Sequence, residues 1–379
     1  MKDKRMTMFN FVRGAAAILI SLAVGTVFIF LTFALVGGKS FGDCFKSTGE
    51  ALRYMLVGPL VKKSGAFNDM GMLQVLAAMI PITFTGLATC VMFSANQFNL
   101  AGEGSVMAGG FVAALVAMYL PMASGLHAVV CVLIAAIVCG LIMYIPAILK
   151  VKLGASEMVT SLMMNYVIMY VVLHFLNSAF ADRSKGSTQT FPFLETAKIA
   201  EIIPNGSKLS WGFVVAMVFV VLTGLFMYRT RWGYSIRMIG INQSFAKYSG
   251  MKVGGTIILS QVLGGALSGM GGAIEMLGRF NTFLWKELPG YGWTGVTIAI
   301  LAKNNPLMVP LAAFFLAYLN KGCSLMSTYC DVPSEMIDII QAAIFLFFAA
   351  EQFLSGYRQK LVVKNTRADL LKTAEGRKA

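Results

Sequence analysis

An all-α, polytopic transmembrane bundle of about ten helices is the fold class that this sequence predicts, and three observations predict it. Of the 379 residues, 57% are hydrophobic and only 13% are charged, about half the charged share of a soluble domain. The apolar residues come in runs of 17 to 25, long enough to cross a hydrocarbon core about 30 Å thick. The net charge of +14 comes from basic residues placed mostly between those runs and at the two ends, as expected when Lys and Arg are retained on the cytoplasmic side of spans. Nucleic-acid binding would need the same charges gathered on one soluble face with interleaved aromatics. The sequence offers no such face.

A basic N-terminus, residues 1–13, leads into the first apolar run, Gly14–Val36. That run is longer than the apolar region of a signal peptide, and Leu35-Val36-Gly37-Gly38 is a poor cleavage site. It is expected to remain as a first span. Further spans are expected near 72–93, 105–121, 126–149, 156–178, 211–228, 254–277, 292–302, 306–325 and 334–354. The 292–302 stretch is too short to cross alone and reads as a half-helix. Together they form a membrane domain over 14–354, followed by a basic tail at 355–379. An even count puts both ends on one side. With both ends cytoplasmic, 19 of the 31 Lys and Arg residues lie inside, and the bias is diluted by long loops that translocate largely regardless of charge. The expected location is the plasma membrane. Loops 37–71 and 179–210 read as polar outer connections, and all four Trp residues lie near expected span ends, as in an aromatic belt.

Between the sixth and seventh spans lies Arg229–Val253, assigned to the cytoplasm. Asn242 is a good N-cap and Gly250 a good helix stop. They bracket a two-turn helix on which Phe245 and Tyr248 share a face. Nucleotide binding needs a P-loop, and the sole approach to one is Gly38-Lys39-Ser40, where the required earlier glycine is Phe33. The chain is therefore not expected to hydrolyse nucleotide or to bind a cofactor of its own. Any ATP-driven role would place ATP and magnesium in a partner.

Two glycine-interrupted stretches, one in each half, stand out. Phe98-Asn99-Leu100-Ala101-Gly102-Glu103-Gly104-Ser105 is wedged between two spans. Irregular backbone at membrane depth is tolerated only inside protein or beside a polar cavity. Glu103 there is either a cap on the next helix or a cavity-lining charge. The second stretch runs from Gly290–Gly295 to Lys303-Asn304-Asn305-Pro306. Such a pair is the pattern of broken helices framing a central binding site. Glu157 with Asn165 in the fifth span is a third polar candidate, with an interfacial Glu157 as the alternative. Glu275 and Arg279, four apart, are expected to pair on a helix face. The candidate pathway residues are thus Phe98, Asn99, Glu103, Glu157, Asn165, Trp293 and Asn304.

Gly264-Gly265-Ala266-Leu267-Ser268-Gly269-Met270-Gly271-Gly272-Ala273 carries two small-residue ridges, 264/268/272 and 265/269/273. Such ridges let another helix approach closely. His127 and His174 have no ligand-spaced companion, so no metal site is expected. Cys90, Cys131 and Cys139 fall in apolar runs as small core residues, while Cys323 and Cys330 leave a bridge and two buried thiols both open. A membrane enzyme would need a nucleophile, base or metal constellation that the sequence does not offer. An ion-coupled secondary transporter, using Glu103 or Glu157 to carry a proton, is the alternative to an ATP-driven importer; its weakness is that no single span carries a series of acids.

Four stretches are similar to those of one known family. Phe98–Gly104 looks like Phe-Asn-Ile-Gly-x-Glu-Gly-Gln, and Glu157–Tyr166 resembles Glu-Val-Ile-x-Thr-Met-Met-x-Asn-Tyr. Gly233–Val253 is similar to Gly-x-x-x-Arg-Ala-x-Gly-x-Asn-x-x-Ala-x-Tyr-x-Gly, and Gly265–Gly278, Gly292–Pro306 and Val332-Pro333-Ser334-Glu335 follow in the family's order. The chain resembles, from about Pro81 to Phe353, the permease subunits of ABC importers for nucleosides and simple sugars, related to ribose permease and to guanosine-type nucleoside permeases. Ala101, Ser105 and Ala302-Lys303 depart from its pattern. The resemblance implies a vitamin B12-permease-like (type II importer) fold and a second permease subunit, homologous or identical. It also implies a cytoplasmic ABC ATPase and an extracellular lipoprotein of the basic-membrane-protein type. On the same resemblance, Arg231, Gly233, Arg237, Gly240, Asn242, Gln243, Phe245, Ala246, Tyr248 and Gly250 would receive the ATPase.

Overall fold

The computed structural model describes residues 41–62, 65–182, 186, 188–203 and 206–330, with 20, 23–31, 33, 34, 332, 339 and 342. The expected segments 1–13 and 355–379, the Gly38–Ser40 run and most of the 334–354 span lie outside the described residues. The chain divides into two compact units, residues 55–325 and residues 1–54 with 326–379. Everything that bears on the site belongs to the first.

The helices are α1 (Phe41–Val57), α2 (Asp69–Ser94), α3 (Gly102–Tyr119), α4 (Leu126–Leu153) and α5 (Glu157–Phe175). They continue as α6 (Gly212–Arg229), α7 (Arg231–Ile241), α8 (Gln243–Tyr248), α9 (Val253–Arg279), α10 (Tyr291–Leu301) and α11 (Val309–Cys330). Among the described residues, seven helical stretches are long and apolar enough to cross a membrane, with α10 as a shorter apolar helix. The chain is a multi-pass membrane protein. Outward faces of α4 (Leu133, Ile137, Leu141) and α6 (Val218, Val221, Leu222, Leu225) are exposed and apolar, which suits lipid and would be a liability in water.

The central helix is α9, packed on α2, α3 and α4. Its small-residue ridges explain why. A Cβ on Gly264 would meet Met92 of α2, one on Gly265 or Gly269 would meet Cys139 of α4, and one on Gly272 would meet the Val106 backbone of α3. Ser268 lies on the ridge with Gly264 and Gly272 and is buried. Without a hydrophobic drive inside lipid, close van der Waals approach of this kind is what holds helices together.

Several expectations change. Loop 37–71 contains α1, whose buried Cys44, Thr48, Ala51 and Met55 form one helical stripe. Loop 179–210 is tied down: the Thr190 and Phe193 amides donate to Phe283 and Asn281 carbonyls at 3.1 and 2.9 Å. Trp285 is not a belt residue. It is 8% exposed and ringed by Phe280, Phe283 and Tyr291. Cys323 is a buried thiol. His127 is buried, its ring nitrogens 2.9 Å from the Thr196 hydroxyl and 3.3 Å from the Val116 carbonyl, a structural tie between α3, α4 and the 195–197 turn.

Candidate functional site: a buried junction and an exposed short helix

The chain between α2 and α3 runs without regular structure from Ala95 to Ala101, burying Ala95, Gln97, Asn99 and Ala101 and leaving Asn96 and Phe98 exposed. Its polar groups are met from two helices, α5 and α9. The Asn165 side chain on α5 accepts the Gly104 N–H at 2.8 Å and donates to the Leu100 carbonyl at 3.0 Å. The Ser161 hydroxyl accepts the Leu100 N–H at 3.0 Å. Asn99 donates to Gln261 of α9 at 2.8 Å and accepts the Ala101 N–H at 2.8 Å. Asn99 and Asn165 are thus buried framework, while Phe98 is half-exposed and packs on Phe93. Replacing Asn165 by Leu would strand the Gly104 N–H and the Leu100 carbonyl, at a cost on the order of 2 kcal/mol. The thermal midpoint of the purified protein should fall measurably.

Glu103 lies in the first turn of α3 and is completely buried. The helix its carboxylate caps is α10. One oxygen accepts the Gly290 N–H; the other accepts those of Gly292 and, at 3.3 Å, Trp293. These are first-turn groups that the helix itself leaves unpaired, and its dipole favours an anion there. The start of α10 is also held by Thr85 of α2, which donates to the Tyr291 carbonyl at 2.9 Å. Tyr291 in turn donates through its hydroxyl to Glu275 of α9 at 3.1 Å. Glu275 pairs with Arg279 at 3.1 Å, as their spacing suggests. The two glycine-interrupted stretches therefore meet at Glu103. At the far end of α10, Lys303 and Asn304 take positive φ and stop the helix. Trp293 is 48% exposed on the outer side of α10. Glu157 lies apart from this junction and pairs with Lys150 at 2.7 Å across the α4–α5 turn.

The 229–253 segment holds two helices where the sequence suggested one. Thr230 caps α7 by accepting the Gly233 N–H at 3.1 Å. A Cβ on Gly233 would run into the Phe226 and Met227 backbone, and one on Gly240 into the Ser94 carbonyl, so both positions seat α7 against its neighbours. Asn242 caps α8 by accepting the Phe245 N–H at 2.9 Å, and Gly250, at φ +79°, turns the chain out. Ala246 is buried with Ile239 and Ile257 and anchors α8. Phe245 and Tyr248, 53% and 91% exposed, point away from the bundle; Gln243 is exposed on the same helix and Arg231 at the start of α7. The Arg237 guanidinium stacks over Tyr228 at 5.0 Å.

A short anchored helix with a bare aromatic face thus stands on the bundle of spans. The family described as the branched-chain amino acid transport system permease component matches residues 71–349. The chain belongs to this permease family. The permease is 28% identical over 347 residues to the glucose ABC transporter permease protein of Haloferax volcanii, covering 89% of this chain and 90% of that one. It is 30% identical over 298 residues to the guanosine ABC transporter permease protein of Bacillus subtilis, covering 76% and 84%. A third relative, the nucleoside ABC transporter permease protein of Lactococcus lactis, is 29% identical over 301 residues, covering 76% and 81%. No solved structure gives a significant match. The permease is the membrane subunit of an ABC importer, a class that does no chemistry of its own.

Sequence reasoning missed Thr85, Ser161, Gln261 and Tyr291 as parts of the junction. Gln261 carried a signal: an amide inside an apolar run must find a partner.

Proposed function

We propose that the permease imports nucleosides or related small sugars across the plasma membrane, driven by a separate cytoplasmic ABC ATPase that pushes on α8. ATP and magnesium stay in that ATPase. Both termini and the 229–253 segment face the cytosol, and an extracellular lipoprotein of the basic-membrane-protein type delivers substrate. Two permease subunits, homologous or identical, stand side by side in a vitamin B12-permease-like arrangement. The observation that carries the reading is the capped, anchored α8 with Phe245 and Tyr248 uncovered. Displacing α8 moves α7, and with it the end of α2 that Gly240 touches. That end leads directly into the 95–101 segment, so a push there reaches the junction. Phe98 and Trp293 supply aromatic faces suited to a sugar or base ring, while Asn99 and Asn165 hold the backbone that carries Phe98. The relatives named for guanosine, nucleosides and glucose support this substrate class.

Proton coupling through Glu103 or Glu157 has no support in the geometry, since one carboxylate caps a helix and the other is paired with Lys150. The test is uptake by proteoliposomes holding the permease, its partner permease, ATPase and lipoprotein. ATP-dependent accumulation of a radiolabelled nucleoside, competed by other nucleosides or sugars, is the expected result. Accumulation by the permease alone under a pH gradient would contradict it.

A further inference from the structure

We infer that Glu103 is a positioning residue for transport: its carboxylate clamps the start of α10 to the start of α3, so that Trp293 moves with the 95–105 segment. This rests on the import reading above. The 11-residue α10 begins after Gly290 at φ +83° and ends at the left-handed pair Lys303 and Asn304. Neither end continues into a neighbouring helix. Its placement therefore depends on what grips it from the side. Three helices grip its first turn, through Thr85, Glu103 and Glu275. Of these, Glu103 alone binds the backbone amides, and it binds three of them.

The fit is built from both sides. A Cβ on Gly292 would come within 2.6 Å of the Glu103 Cα and 2.7 Å of its carboxylate, so the glycine makes the seat that the carboxylate fills. Charge-assisted bonds to amides are stronger than neutral ones, and a low-dielectric interior strengthens them further. The other end of the linkage is equally tied: Gly104, next to Glu103, is bonded to Asn165, and Ala101 to Asn99. A displacement of the α2–α3 segment is thereby transmitted to α10 and to the half-exposed indole at its start. Glu103 touches no open space and is completely buried, so its role is to place α10 and not to meet substrate.

The test uses the assembled importer in lipid nanodiscs, read by amide hydrogen exchange and by ATP-driven nucleoside uptake. Glu103→Gln keeps the shape but removes the charge and turns an amino group toward the amides. Exchange at 290–293 should rise at least tenfold and uptake fall at least tenfold, with ATPase assembly retained. Gly292→Ala, which leaves the charge and disturbs the seat, should give the same pair of changes. Unchanged exchange in both variants overturns the clamp. Faster exchange with normal uptake overturns the positioning role. Lost uptake with unchanged exchange overturns it in favour of direct substrate contact. Absence of uptake by the unsubstituted importer overturns the transport reading, and the positioning role with it, while exchange still reports the clamp. If neither variant assembles, the unsubstituted protein decides: 290–293 must exchange more slowly than the first turn of α6, which has no side-chain cap, and equal rates overturn the inference.

Discussion

Replacing Phe245 and Tyr248 together with Asp should abolish substrate-stimulated ATP hydrolysis by the assembled importer, while the permease still inserts and folds. Both rings are largely exposed, and the fold leans on Ala246, not on them. Their removal therefore costs the bundle little. At an interface, a buried aromatic anchor is commonly worth 2 kcal/mol or more, and two of them act together. Two new carboxylates would also have to be desolvated against the partner. The coupled turnover is expected to drop by at least about 100-fold. Purification yield and a size-exclusion profile matching the unsubstituted protein would establish folding, and ATPase assays would establish the loss. Normal coupling in a folded variant would remove α8 from the mechanism.

The second large effect concerns the core. Gly272→Val should prevent the permease from reaching a stable fold. The three nearest atoms to a Cβ at Gly272 are the carbonyl oxygen, carbonyl carbon and Cα of Val106, the latter two at 2.8 and 3.0 Å. All are backbone, so no rotamer change relieves the clash and the α3–α9 contact must open. Overpacking costs about 1–3 kcal/mol where side chains can yield; here the expected cost exceeds that range. Gly255→Ala on the same helix is the matched control, because its nearest neighbour is Lys252 Cβ at 4.0 Å. It should be neutral or slightly stabilising, since alanine is favoured over glycine in a helix by about 1 kcal/mol. Thermal unfolding in detergent would separate the two, and similar midpoints would deny α9 its central packing role.

Local signals in the sequence carried a good deal of this. Asn242 and Gly250 delimit α8 because capping is decided within four residues, and the α9 ridges show their spacing directly. The stripe 44/48/51/55 that buries α1 was just as local. It was hidden because runs of apolar residues draw attention to spans, and α1 is half polar. Arg231–Ile241 is hard to read for a related reason: buried Gly233, Ile236 and Ile239 are spread among Arg, Trp, Tyr and Ser residues in a short segment. Glu103 shows the harder limit. Its position next to Gly102 and Gly104 suggested a cap on its own helix or a cavity, and neither names α10. The partner lies 187 residues away at Gly290, and only the folded bundle puts the two together. Trp285 was misplaced likewise, since a buried ring cluster drawn from 280–291 looks in sequence like a belt at a span end.

In the proposed transport cycle α8 faces the cytosol and meets a motor there. Ser244, exposed on α8, is the position that tests it most directly. A Ser244→Cys permease should resist an impermeant maleimide applied to intact cells, react once the membrane is opened, and be shielded again when the ATPase is bound, with the modified site assigned by peptide mass. Labelling of residue 244 from outside intact cells would contradict both the orientation and the role given to α8.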